Sequence, residues 1–99
     1  MKICLVCNTG LSTSYLKQKL IAYGEENQLE LSVDAIPYAE CVDYQSSHDV
    51  DVFLMAPQVA FMQDNLRQAL PDKNVKIAAI SVPDYGMQNA ANIMASLQA

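Results

Sequence analysis

An α/β fold with a parallel sheet between two helical layers is what this 99-residue chain predicts, and three observations carry the expectation. Four short aliphatic or β-branched runs, at residues 3–6, 29–36, 50–56 and 75–80, are each followed by a segment with helical apolar spacing. The order is therefore βαβαβαβα, which builds a parallel sheet with right-handed crossovers and helices on both faces. A hydrophobic share of 52% with 17% charged residues is that of a folded chain with one core. No repeat, linker or low-complexity segment interrupts it, so residues 1–99 read as one domain.

The first strand takes Ile3, Cys4, Leu5 and Val6, an unbroken apolar run suited to a central position, and ends at Cys7, where Asn8, Thr9 and Gly10 supply turn chemistry. The first helix is expected over residues 11–26, with Leu16, Leu20 and Tyr23 on one face and its stop in residues 24–27. Residues 29–36 alternate Leu29, Leu31, Val33 and Ala35 against Glu30, Ser32 and Asp34, the pattern of an edge strand with one wet face, closed by Pro37. Residues 38–47 make a weaker helix, with residues 45–49 as its exit loop. Residues 50–56 are a second apolar strand, and Pro57 opens the next helix, whose stripe is Val59, Met62, Leu66 and Leu70. Residues 75–80 form the last strand. Pro83 and Gly86 mark residues 81–86 as a loop, and Met87, Ala90, Ala91, Met94 and Leu97 mark the terminal helix.

Ligands of such folds gather beyond the carboxyl ends of the strands. That edge collects residues 7–14, the Pro57-Gln58 turn and residues 83–86. Cys7 stands there beside a segment in which Gly10, Ser12, Thr13 and Ser14 precede or open a helix. Free backbone N–H groups at a helix start receive an anion without any basic side chain. The same field can lower a thiol pKa from about 8.5 to roughly 3.5–7.5, which makes Cys7 the candidate nucleophile. Cys4 and Cys41 read as small buried hydrophobes, and the methionines at helical spacing as core.

Other chemistries fit less well. Cys4 and Cys7 match C-x-x-C, but residues three apart on a strand lie about 10 Å apart and point to opposite faces, whereas a disulfide needs Cα atoms within about 7 Å. A zinc site from Cys4, Cys7, Cys41 and His48 matches in residue type only, because a zinc knuckle holds its C-x-x-C in a turn; no metal and no cofactor are expected. His48 lies in a polar stretch and reads as solvated, and Glu25 and Glu26 as a solvated helix end. A net charge of −5 with only six scattered Lys and Arg argues against nucleic acid. No run approaches the roughly 18 apolar residues of a membrane span, and the start MKICLV is unlike a signal peptide, so a cytoplasmic protein is expected. An odd count of three cysteines suits a reducing compartment.

A thiolate facing an anion-binding loop suggests phosphoryl transfer through a phosphocysteine held by loop amides and the hydroxyls of Ser12, Thr13 and Ser14. The nucleotide pattern G-x-x-x-x-G-K-[ST] does not occur. Neither does the C-x5-R of tyrosine phosphatases, because the arginine position falls on Thr13. Without a cation to clamp the phosphoryl oxygens, relay is favoured over hydrolysis.

The stretch CNTGLSTS after a short first strand, APQVAFM in the middle and DYG late in the chain resemble the IIB component of the lactose/cellobiose family of the bacterial phosphoenolpyruvate-dependent sugar phosphotransferase system. The likeness spans essentially the whole chain. It differs from the usual family loop at Asn8 and Thr9, where Ser or Ala is common, and at Leu11, where Met is common. The resemblance implies a four-stranded parallel sheet in the order 2-1-3-4, flavodoxin- or phosphatase-like, with a phosphate-binding loop after the first strand. It implies a cytoplasmic carrier, transiently at the inner face of the membrane and monomeric. Such a carrier accepts phosphate on Cys7 from a phosphohistidine of a IIA protein. It passes it to a sugar, a β-linked disaccharide such as cellobiose, lactose or diacetylchitobiose, imported by a membrane IIC protein. By the same likeness Asn8, Thr9, Gly10, Leu11, Ser12, Thr13 and Ser14 bind the phosphoryl group. Gln58 and Tyr85 are placed at that edge by position alone. The alternative is a hydrolase similar to the low-molecular-weight cysteine phosphatases but without the loop arginine. A third reading is a protein-binding module with a fortuitous cysteine.

Overall fold

In the computed structural model, which describes residues 1–8 and 13–98, the central strand is the apolar run that opens the chain. Strand β1 (Lys2–Cys7) pairs in parallel with β2 (Ser32–Pro37) on one side and β3 (Val52–Met55) on the other, and β4 (Lys76–Ala79) pairs with β3. The four-stranded sheet has the order β2-β1-β3-β4, as expected. Helix α1 (Ser14–Glu26) follows β1. A 3₁₀ turn (Tyr38–Glu40) and α2 (Cys41–Ser47) follow β2. A 3₁₀ turn (Pro57–Met62) and α3 (Gln63–Ala69) follow β3, and α4 (Val82–Met87) and α5 (Ala90–Gln98) follow β4.

The period of two along β1 divides the core into two layers. Ile3 and Leu5 pack with Leu16 and Leu20 of α1 and with Ile93 and Met94 of α5. Cys4 and Val6 pack with Phe53, Cys41 of α2 and Leu66 of α3. Residues Ile3 to Cys7 are fully buried, and each such aliphatic side chain contributes roughly 1.5–3 kcal/mol relative to exposure, so β1 anchors both layers. Cys7, which alternation would send to the face opposite Cys4, instead joins the Cys4 layer, where Ala56 and Val59 also pack.

Several boundaries move, and for the strands tertiary pairing is the reason. The strand expected from residue 29 begins at Ser32, because β1 offers a partner only from Lys2 onward; Leu29 is exposed, and the buried positions are Val33 and Ile36 rather than an unbroken alternation. Residues 50–56 and 75–80 shorten to β3 and β4 where the ladder ends. Helix α1 ends at Glu26, with its C-cap at Asn27, inside the expected stop, but Gly24 itself is not what ends it. It is buried within the helix, where an added Cβ would lie 3.0 Å from Leu31 Cγ and 3.3 Å from the Leu29 carbonyl oxygen. The turn comes at Gln28, which takes φ 57°. Helix α2 runs through Ser47, so the exit loop is shorter than residues 45–49.

The largest departure is at residues 81–86, expected as a loop and found as α4. Ser81 caps it by accepting from the Asp84 N–H at 3.2 Å, Pro83 sits in its first turn, and Gln88 ends it in the left-handed region at φ 50°. Met87, assigned to the terminal stripe, is therefore outside α5 and exposed. Ile93, with Met94 and Leu97, forms the buried stripe instead, while Ala91 is exposed.

The edge strand is covered by charge. Lys2 Nζ donates to Asp34 Oδ2 at 2.9 Å and to Ser32 Oγ at 3.2 Å, Lys17 Nζ lies 3.6 Å from Asp34 Oδ1, and the Tyr44 hydroxyl donates to Asp34 Oδ2. Such a cluster blunts an open β edge. The Tyr44 hydrogen bond, then that of Lys2, holds the Asp34 carboxyl down to about 2. A depressed carboxylate pKa stabilises the fold above the unfolded value of about 3.9 and loses that contribution as pH falls through about 2. Asp34→Asn is expected to flatten the acid limb of a stability-against-pH curve between about pH 4 and pH 2. The side chain is 39% exposed, so screening keeps the effect below about 1 kcal/mol. Urea titrations across that window check it; a slope unchanged in the variant would contradict it.

Candidate phosphoryl-transfer site

Parallel pairing brings the carboxyl ends of β1, β3 and β4 into line. The Ala56 N–H donates to the Val6 carbonyl at 2.8 Å and the Ile80 N–H to the Met55 carbonyl at 2.9 Å, extending the ladder one residue past each strand. Cys7 closes β1 in the middle of this edge, opposite Pro37 of β2, and is fully buried.

Thr13 holds the N-cap position of α1, and its carbonyl accepts the Lys17 N–H at 2.9 Å. A threonine there usually turns its hydroxyl back onto the first-turn N–H groups. Here no side-chain cap forms. The buried Thr13 Oγ1 donates instead to Cys7 Sγ at 3.7 Å. Two consequences follow. The sulfur receives a donor suited to a developing thiolate, and among the described residues the positive end of a 13-residue helix keeps a first turn free of a capping side chain and of any Asp or Glu. The hydroxyl that sequence placed in a phosphate-binding row thus has a more particular partner. The signal was present in the spacing, since Thr13 is the last hydroxyl before the helix, but it did not distinguish Thr13 from Ser12 and Ser14.

The other expected site residues divide. Asn8 is exposed directly after Cys7, and Ser14 is exposed as the first residue of α1. Thr9, Gly10, Leu11 and Ser12 lie outside the described residues, as does the expected start of the helix at residue 11. Gln58 is exposed in the turn after β3. Tyr85 is half-buried in α4 and packs against both core layers.

The remaining thiols are unsuited to nucleophilic work. Burial pushes the Cys4 thiol far up, helped by the nearby Cys41 and Asp34, and pushes Cys41 up to about 12. Both are free thiols in the core, as the sequence suggests. Among the described residues no three His, Cys, Asp or Glu side chains gather as metal ligands. His48 is exposed after α2, near the amino edge of the sheet, with its ring stacked on Tyr44 at 4.1 Å between centroids.

The cations are committed elsewhere. Lys2 and Lys17 pair with Asp34. Arg67 donates to the Lys73 and Val75 carbonyls, Lys73 caps the end of α3 through the Arg67, Gln68 and Leu70 carbonyls, and Lys76 reaches the Leu97 carbonyl. Only Lys19, exposed on α1, has no such partner among the described residues. A thiol at a helix start is present, and a clamping guanidinium is not.

Fold and edge together define a small α/β protein with a cysteine placed against a helix N-terminus at the carboxyl side of a parallel sheet. Residues 2–96 match the model of the family described as PTS system, Lactose/Cellobiose specific IIB subunit. The chain belongs to this family of sugar phosphotransferase IIB components. It is 30% identical to the galactose-specific EIIB component of Lactococcus lactis subsp. cremoris, over 97% of this chain and 92% of that protein. It is 29% identical to the cellobiose-specific EIIB component of Lactococcus lactis subsp. lactis over the same shares, and 28% identical to the oligo-beta-mannoside-specific EIIB component of Bacillus subtilis, over 87% and 82%. The solution structure of the cellobiose-specific IIB component from Borrelia burgdorferi superimposes with a TM-score of 0.74 at 30% identity, covering 96% of this chain and 85% of that one. The lactose-specific IIB domain from Streptococcus pneumoniae shares the fold, with a TM-score of 0.83 at 14% identity, covering 99% and 95%. Among the described residues no helix is long and apolar enough to cross a membrane.

Proposed function

We propose that residues 1–99 act as one cytoplasmic phosphocarrier unit whose acceptor atom is Cys7 Sγ. The observation that carries the reading is the buried hydrogen bond from Thr13 Oγ1 to Cys7 Sγ at the start of α1. A thiol so placed has a donor for its anionic form and a helix N-terminus for the phosphoryl oxygens. In the first step the sulfur attacks phosphorus of a phosphohistidine on a IIA protein. The P–S bond forms as the P–N bond breaks, the electron pair returns to the imidazole, and the thiol proton leaves to solvent or to that nitrogen. In the second step a sugar hydroxyl presented by the membrane IIC protein attacks phosphorus, the thiolate leaves, and the hydroxyl proton passes to a base on the acceptor side. Residues 8–14 line the phosphoryl group, mainly through backbone N–H. The sugar in this reading is a β-linked disaccharide such as cellobiose, lactose or diacetylchitobiose, with support from the cellobiose-specific relative, while the other two relatives are by name specific for galactose and oligo-beta-mannosides. The carrier works as a monomer, transiently at the inner face of the membrane.

Incubation with phosphoenolpyruvate, the general phosphotransferase proteins and a lactose/cellobiose-type IIA protein, followed by peptide mass spectrometry, is expected to find phosphate on Cys7 alone. Phosphate on His48 would overturn the assignment. Because all cations but Lys19 are engaged away from Cys7, water attacking a phosphocysteine finds little charge stabilisation, and losing one such donor commonly costs on the order of a hundredfold or more in rate. The isolated phosphoprotein is therefore expected to keep its phosphate, and an aryl phosphate to be turned over at least about a hundredfold more slowly than by a cysteine phosphatase. Phosphatase-like turnover would replace the relay reading with the hydrolase.

A further inference from the structure

We propose that Lys17 changes partner when Cys7 is phosphorylated, leaving Asp34 for the oxygens of the new phosphoryl group; this rests on the relay reading above. Thr13 and Lys17 stand one helical turn apart at the start of α1, where the Lys17 N–H donates to the Thr13 carbonyl at 2.9 Å. Side chains four residues apart on a helix share a face, with Cβ atoms about 5–6 Å apart, and both lean toward the helix N-terminus. The Thr13 side chain on that face already touches Cys7 Sγ. The four-carbon stem of Lys17 leans the same way from one turn further on, which brings its ammonium within reach of a group carried on the sulfur.

The hold on Lys17 is the weakest of the engaged cations. Its Nζ lies 3.6 Å from Asp34 Oδ1, beyond hydrogen-bond distance, and its side chain is 33% exposed. Asp34 does not depend on it, because Lys2 Nζ at 2.9 Å and the Tyr44 hydroxyl remain on Oδ2 when Lys17 leaves. A phosphoryl group brings a charge of about −1.5 to −2, more than a carboxylate already shared by two donors. The other cations do not compete. Lys2 is tied at the opposite end of β1 from Cys7, Arg67, Lys73 and Lys76 hold backbone carbonyls, and Lys19, two residues beyond Lys17, lies on a different face of α1. A lone ammonium is a point charge without the fork of a guanidinium, so it holds the phosphoryl group without restoring the clamp of a cysteine phosphatase, and the slow hydrolysis expected above stands.

The protein is brought to equilibrium with a phosphorylated lactose/cellobiose-type IIA protein, and the phosphorylated share of each partner is read by intact mass. The position of this equilibrium reports how well each protein holds phosphate and does not depend on how tightly the two dock. Lys17→Met is expected to move it about tenfold toward the donor, Lys17→Arg, which keeps the charge, to stay near wild type, and Lys19→Met to change nothing. Asp34→Asn releases Lys17 beforehand and is expected to move the equilibrium toward Cys7, an effect that vanishes when Lys17→Met is also present. An equilibrium unmoved by Lys17→Met overturns the exchange while leaving the relay intact. An Asp34→Asn effect that persists without Lys17 also overturns it, assigning the shift to the carboxylate charge alone. Failure of wild type to accept phosphate overturns the relay and the exchange together.

Discussion

Cys7→Ser is expected to abolish phosphoryl acceptance while leaving the sheet in place. The substitution keeps a small side chain at the buried end of β1 and a hydrogen-bonding atom for Thr13. What it removes is the thiolate, since a serine hydroxyl is far less ionised and a far weaker nucleophile without an adjacent base. Intact-mass measurement after incubation with phosphorylated donor should find no added phosphate, with circular dichroism and thermal melting reporting a native fold. Cys4→Ser should lower stability, because it places a hydroxyl at a fully buried position between two packed layers, yet it should still accept phosphate. Cys41→Ser should transfer normally. Phosphate retained on the Cys7→Ser protein would move the acceptor to another residue.

Thr13→Val should slow acceptance by about tenfold to a hundredfold, the scale of removing one donor aimed at developing charge. Valine matches threonine in shape, so the buried position stays filled and the loss isolates the hydroxyl that reaches Cys7 Sγ at 3.7 Å. Thr13→Ser, which keeps the hydroxyl, should recover most of the rate. A purely structural role would predict the opposite ranking, because serine leaves a methyl-sized gap in a fully buried site while valine does not. An arginine at this position, where cysteine phosphatases carry one, is a poor probe, since a guanidinium would enter a fully buried site and be costly to desolvate. Wild-type rates in the valine variant would remove Thr13 from the transfer chemistry.

Much of this protein is legible from local pattern alone. Unbroken apolar runs and helical spacing are properties of neighbouring residues, and they suffice for the alternation, the parallel sheet, the central place of β1 and the position of Cys7 at its carboxyl end. The resemblance carried by CNTGLSTS, APQVAFM and DYG agrees with the family match over residues 2–96. Tertiary structure decided what depends on a partner distant in sequence. Where β2 starts is set by the reach of β1, and Gly24 is required because Leu29 and Leu31 return against α1. Proline and glycine at residues 83 and 86 suggested a loop because their local meaning is ambiguous. The Ser81 hydroxyl on the Asp84 N–H resolves it into α4. Residue type also says only that a threonine near a helix start can cap it. That its hydroxyl serves the Cys7 sulfur, and that five of the six cations are drawn to carboxylates and carbonyls away from that sulfur, follows from geometry among residues that sequence leaves unconnected.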